Sequence, residues 1–179
     1  YCGVEAHHQN GIAEKAIRDL QDQARTMLLH ASFHWPGAIS HHLWPYAVRL
    51  ANQIRNCSPT EFGKPSPHEL FSNVPVRDNL NNFHTFGCPV YVHEERNKNK
   101  WDPRARLGIN LGPSPTHART VSLVLSLETG LVSPQFHVSF DENFQSIKDV
   151  PESVSAKWKH IAGFMRSEER RVGKECRIG

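Results

Sequence analysis

Apolar residues follow two different spacings along this chain. From Gly11 they recur at Ala13, Ala16, Ile17, Leu20, Ala24, Met27, Leu28 and Ala31, a stripe of helical period. Glu14, Arg18, Gln21, Asp22 and Arg25 take the opposite face. The pattern predicts a long amphipathic helix, preceded by an Asn10-Gly11 turn and ended by Trp35-Pro36 between His30 and His34. A second helix is expected over His42 to Asn56, with Leu43, Tyr46, Ala47, Leu50, Ala51 and Ile54 on one side. Pro45 fits only a first helical turn, which places the start near Ser40 to His42. Cys57-Ser58-Pro59 stops it. Ser66-Pro67-His68-Glu69 then reads as a capping box with proline at the first helical position, opening a short helix through Leu70 and Phe71.

Beyond residue 84 the period changes to two, and β-branched residues take over. Strands are predicted at 88–93, 106–111 and 121–127, with a fourth over 131–140 interrupted at Pro134. Glu128-Thr129-Gly130 makes a tight hairpin loop between the last two. Short antiparallel strands at this spacing predict a small barrel or sandwich, with Trp101 and the phenylalanines supplying much of its core. The fold class is α+β. The expected division is a helical block over 1–75, a linker over 76–83, a β-barrel over 84–144 and a poorly structured tail over 145–165, with a short helix near Val154 to Ile161. The differing periods and the Pro/Asn-rich join predict blocks that pack separately.

Composition changes this picture in three places. The apolar share of 38% is low for a compact domain, and glycine (11) and proline (12) are plentiful, so irregular connections are expected between folded pieces. No apolar run is long enough to span a membrane, and YCGVEAHH is not a signal peptide, so the chain is expected to begin mid-sequence. Residues 166–179 resemble translated sequencing-adapter read-through: RSEERRVGKEC is the in-frame product of a widely used adapter. They carry five of the 21 Lys/Arg and three of the 18 Asp/Glu, which leaves 16 against 15 and a net charge of +1. The overall charge therefore carries no argument about nucleic acid.

Metal chemistry is considered because of the 12 histidines and four cysteines. Cys2, Cys57, Cys88 and Cys176 form no CxxC pair, which favours reduced thiols over a disulfide framework or structural zinc. Adjacent helical histidines such as His7-His8 and His41-His42 should point apart, and a helix ending before His34 would separate it from His30. Trp35, Trp44 and Tyr46 read as helix-packing residues before a base-stacking platform.

The stretch HHQNGIAEKAIRDLQDQARTMLLHA resembles the end of the catalytic core of a Ty1/copia-type retrotransposon integrase, where a Q-N-G-x-A-E-R motif carries the third acid of a D-D-E triad. The likeness continues through WPYAVRLANQIRN and SPHELF. HTFGCPVYV, KWDPRARLGINLGPSPTHA and LVLSLETGLVSPQFHVSFDENF are similar to the SH3-like domain that follows that core. The resemblance covers residues 3–144, and Lys15 stands where many relatives have arginine. It implies the helical end of an incomplete RNase H-like core followed by a small SH3-like β-barrel.

It also implies a chemistry. DNA strand transfer is an in-line displacement at phosphorus, in which two divalent cations clamp the attacking and leaving oxygens. Hard Mg²⁺ (or Mn²⁺) takes carboxylate oxygen. By resemblance Glu14 is the catalytic and metal-binding glutamate; the plainer reading is a solvated helix residue paired with Arg18. Gln9, Asn10, Lys15, Arg18 and Arg25 are the DNA-contact candidates, with capping or an ordinary polar helix face as their alternatives. The remaining two acids would lie upstream, and Asp19 and Asp22 are too far along the same helix to replace them. The chain alone is therefore expected to be inactive and to bind no metal specifically. The intact parent would use DNA as partner and self-associate. It would act in the nucleus after a stage in a cytoplasmic particle, without membrane attachment. The competing reading is a non-catalytic module for nucleic acid or protein, based on the SH3-like part, where Arg96, Lys98, Lys100, Arg104 and Arg106 cluster near one hairpin.

Overall fold

In the computed structural model of the chain, the described residues are 11–59, 61, 63–75, 82–94, 100–101, 103–118 and 120–147. The expected tail helix near 154–161, and the residues resembling adapter sequence, lie outside them. Helix α1 spans Gly11–His34 and α2 spans Trp44–Cys57, with a single 3₁₀ turn, His41–Leu43, leading into α2. Helix α3 covers Pro67–Ser72. Strands β1 (Pro89–His93), β2 (Ala105–Pro113), β3 (Ser122–Ser126), β4 (Val132–Gln135) and β5 (Val138–Phe140) follow.

The helix ends obey their local chemistry. Trp35 precedes Pro36, whose ring disfavours helical backbone at the residue before it, so α1 can run to His34 and no further. This corrects the expected end: His30 and His34 both lie within the helix. Ser40 caps the 3₁₀ turn by accepting from the His42 N–H, and Pro45 sits in the first turn of α2, where no hydrogen bond is lost. Ser66 and Glu69 form the full capping box, with the Ser66 N–H donating to Glu69 Oε2 at 2.7 Å. Asn73 closes α3 in the left-handed region (φ 55°).

The two long helices meet through small residues. Ala24 and Ala31 of α1 and Ala47 and Ala51 of α2 are all buried, which lets the two backbones approach closely. Arg55, in the last turn of α2, donates to the Ala16 carbonyl near the start of α1 at 3.0 Å, so the helices run antiparallel.

The strands form one antiparallel sheet in the order β4-β3-β2-β1-β5. The fourth predicted strand is two strands. Its break falls at Phe136 and His137, and Pro134 lies inside β4, which tolerates a missing N–H because it is an edge strand. β4 and β5 occupy opposite edges, yet only two residues separate them. Three residue steps reach roughly 10 Å, whereas four flat inter-strand spacings would need roughly 19 Å. The sheet must therefore coil strongly, bringing its edges towards each other; the His93 N–H, donating to the His137 carbonyl at 3.0 Å, extends the β1–β5 pairing by one step. No ladder joins β4 to β5, so the sheet remains open where a closed barrel was expected.

A register shift between Asn110 and Pro113 bends β2 against β3. Asn110 is fully buried there and satisfied: its Nδ2 donates to the Thr85 carbonyl at 3.0 Å and its Oδ1 accepts the Gly112 N–H at 3.1 Å.

The helical and β blocks share one hydrophobic core, contrary to the expectation that they pack separately. Two glycines make the junction. Gly87 (φ +75°) brings the chain before β1 so close to α1 that a Cβ there would lie 2.5 Å from Ala31 Cβ. Gly112 (φ +91°) leaves room for Leu50 of α2, whose methyls would lie 3.2 and 3.5 Å from a Cβ at that position. Arg49 Nη2 adds a bond to the Leu111 carbonyl at 3.4 Å. Phe144, buried after β5 at a positive φ of 55°, stacks on His34 with ring centres 4.9 Å apart. The sheet contributes Val90, Val92, Ile109, Leu111, Val124 and Leu125 to this core. Trp101 does not belong to it; it is 89% exposed in the β1–β2 connection, beside Lys100. Aliphatic side chains on strands already fill the interior that Trp101 was expected to occupy.

Candidate functional site

Glu14 lies in the first turn of α1, a 24-residue helix, with its side chain exposed. A carboxylate suits that position because it faces the positive end of the helix dipole. At helical spacing, Arg18 and Arg25 share its stripe, with Lys15 alongside, and all three are exposed. Asp19 and Asp22 are exposed on the same helix, so three cations meet three carboxylates and this group of residues has no net charge. Among the described residues no ion pair joins Glu14 to Arg18. The Arg55 bond to the Ala16 carbonyl fixes the helix start two residues beyond Glu14. Gln9 and Asn10 lie outside the described residues.

Among the described residues, no group of three or more His, Cys, Asp and Glu is placed to hold a metal ion. His30 and His34 share a face, with ring centres 4.7 Å apart, and both pack against Phe144. The His41 and His42 rings lie 4.2 Å apart instead of diverging, because the pair sits in a 3₁₀ turn and not in a regular α-helix. Among the described residues Cys57 and Cys88 form no disulfide. Burial, reinforced by the charges of Glu142 and Asp141, pushes the Cys88 thiol up to about 12 despite a bond from Asn110.

The β1–β2 hairpin cations are divided in role. Arg106 approaches Glu94 at 3.8 Å, Lys100 lies over the Trp101 ring at 5.7 Å, and Arg104 is exposed. Arg96 and Lys98 lie outside the described residues. Trp35 is buried and Tyr46 half-buried, as packing residues would be, but Trp44 is 57% exposed.

Two features carried no sequence signal. Arg49 is wedged between α2 and β2, its pKa lowered by burial although Tyr46 opposes the shift, and its Nε finds no partner. A cavity of about 390 Å³ opens between the end of α2, α3, the chain before β1 and the loop after β2. Its walls come from four separate segments, so no spacing in the sequence could have announced it. No family model matches the chain, and no solved structure matches it. Among the described residues no helix is long and apolar enough to cross a membrane.

Proposed function

We propose that the chain is the C-terminal part of a copia-type integrase core with its following SH3-like domain, and that its parent joins element DNA to host DNA by metal-dependent strand transfer. The observation that carries this reading is Glu14: an exposed carboxylate in the first turn of a long helix, inside the stretch QNGIAEK. Its backbone is held against α2 through Arg55. A ligand on a fixed helix, open to an incoming phosphate, is what a two-cation phosphoryl-transfer site requires of its third acid. Lys15, Arg18 and Arg25 would hold the DNA backbone beside it. The strongly coiled five-stranded sheet supports the SH3-like half, and the antiparallel α1–α2 pair supports the RNase H-like half. The parent would take Mg²⁺ or Mn²⁺ and act as a homo-oligomer on nuclear DNA.

The test joins this chain to its upstream reading frame and measures strand transfer with Mg²⁺. Glu14→Gln should reduce transfer to background while the melting temperature stays unchanged. Activity retained by that variant would remove Glu14 from the chemistry. The chain by itself should show no specific micromolar Mg²⁺ site in a titration.

A second reading, a nucleic-acid-binding module without catalysis, is favoured by Lys100 over the exposed Trp101 ring, with Arg104 and Arg106 following within five residues of the chain. It predicts DNA affinity that falls steeply with salt and ignores Glu14→Gln.

A further inference from the structure

The cavity beside α2 has the make-up of a recognition pocket. Its volume of about 390 Å³ falls in the range that takes a small organic ligand. Among the described residues its lining includes no Asp, Glu, Lys or Arg. Instead it presents three carboxamides, Gln53, Asn56 and Asn82, with His68 and His117 and the ring of Phe83. Gln53 Oε1 is buried and no protein donor reaches it. An unpaired buried carbonyl oxygen costs free energy in the unliganded protein, and rotation of the Gln53 amide towards the cavity would let a ligand N–H relieve that cost. The His117 ring is held from one side: Ser114 Oγ lies 2.8 Å and Thr116 Oγ1 3.0 Å from Nδ1. That arrangement leaves Nε2 free of both hydroxyls.

We propose that this pocket binds a nucleobase presenting an N–H donor, stacked on Phe83 and bonded by Gln53 Oε1 with Asn56 or Asn82. The described wall offers carboxamides, imidazoles and an aromatic ring, which suit a neutral, planar, hydrogen-bonding ligand. Carboxamides offer a donor and an acceptor side by side, which matches the paired donor and acceptor on the edge of adenine. Unstacked bases are recognised in this way, by an aromatic face and polar groups at the edge. The pocket also flanks a defined end of the helical pair: Arg55, next to Asn56 in the chain, bonds to Ala16, two residues from Glu14. The proposal does not rest on the integrase reading, because base capture needs neither Glu14 nor a metal.

The experiment titrates the full chain with adenosine, with a single-stranded oligo(dA) and with an adenine-containing duplex, following side-chain amide resonances by NMR. Adenosine and oligo(dA) should shift the carboxamide signals of Gln53, Asn56 and Asn82, and the duplex, whose bases are stacked, should not. Gln53→Met keeps the side-chain volume and removes the acceptor. It should weaken oligo(dA) binding roughly tenfold while the melting temperature holds or rises, since a buried unpaired oxygen has gone. Phe83→Leu should weaken binding in the same way and serves if the first variant folds poorly. Oligonucleotide binding that ignores both variants and follows salt alone would overturn the proposal, as would a cavity that adenosine never enters. Glu14→Gln should leave adenosine binding untouched, so failure here and failure of the strand-transfer reading are separate results.

Discussion

Leu50→Ala tests whether helices and sheet stand or fall together. Leu50 is 1% exposed on the face of α2 that meets β2, and its methyl groups lie over Gly112. Truncation removes the apolar atoms of a fully buried leucine and leaves a gap. Nothing opposite can fill it, because Gly112 has no side chain and sits at a φ of +91°. Limited collapse places the cost within the usual range for buried leucine, about 3 to 4 kcal/mol. That should lower the melting temperature by roughly 10 °C. Native-state hydrogen exchange provides the sharper assay. If one core joins the blocks, the most protected amides of α2, β1 and β3 should all lose protection by roughly 150- to 700-fold. The amides of Val90, Ile109 and Val124 report on the sheet. If they kept their protection while α2 lost its own, the two blocks would be independent units and the shared core would not be cooperative.

Other outcomes follow from single residues. Gly87→Ala should destabilise the protein more than Gly63→Ala. Both glycines have positive φ, but a Cβ at Gly87 would lie 2.5 Å from Ala31 while Gly63 faces open space; comparing the two denaturation midpoints removes the shared backbone cost, about 1 kcal/mol, and equal losses would refute the close approach. Cys88 should resist alkylation at neutral pH until the protein unfolds, because its thiol titrates at about 12; peptide mapping after a brief iodoacetamide pulse reads this, and rapid labelling in the folded state would contradict it. Burial is the largest single influence on Asp141 and raises its pKa, but the Ser146 hydroxyl and N–H, at 2.5 and 2.6 Å, together with the Gln145 and Asn143 N–H groups, outweigh it and hold the pKa below the usual value. A lowered folded-state pKa gives stability that is present above the unfolded value, near 4, and is lost as pH falls through the folded one. Asp141→Asn should therefore flatten the stability profile below about pH 4, and an unchanged acid limb in a pH series of melts would refute the assignment.

Local chemistry alone decided much of this protein. The period of the apolar residues placed α1, α2 and the strands, because side-chain direction repeats at 3.6 in a helix and at 2 in a strand. The Ser66-to-Glu69 capping box and the position of Pro45 were equally legible, since each depends on groups within four residues. Glu14, Lys15, Arg18 and Arg25 could be assigned to one exposed helix face from spacing, and their charge balance with Asp19 and Asp22 could be counted. Where local rules left a choice, tertiary contact made it. Trp101 is as apolar in sequence as any core residue, yet the sheet interior was already filled by valine, leucine and isoleucine. Pro134 was expected to break a strand, but as an edge residue it needed no N–H partner and the break moved to Phe136 and His137. The junction of helices and sheet rests on Gly87 facing Ala31 and Gly112 facing Leu50, pairs separated by more than fifty residues of chain. The cavity draws its walls from four segments in the same way. Periodicity records which way a side chain points; only the closed chain determines what stands opposite it.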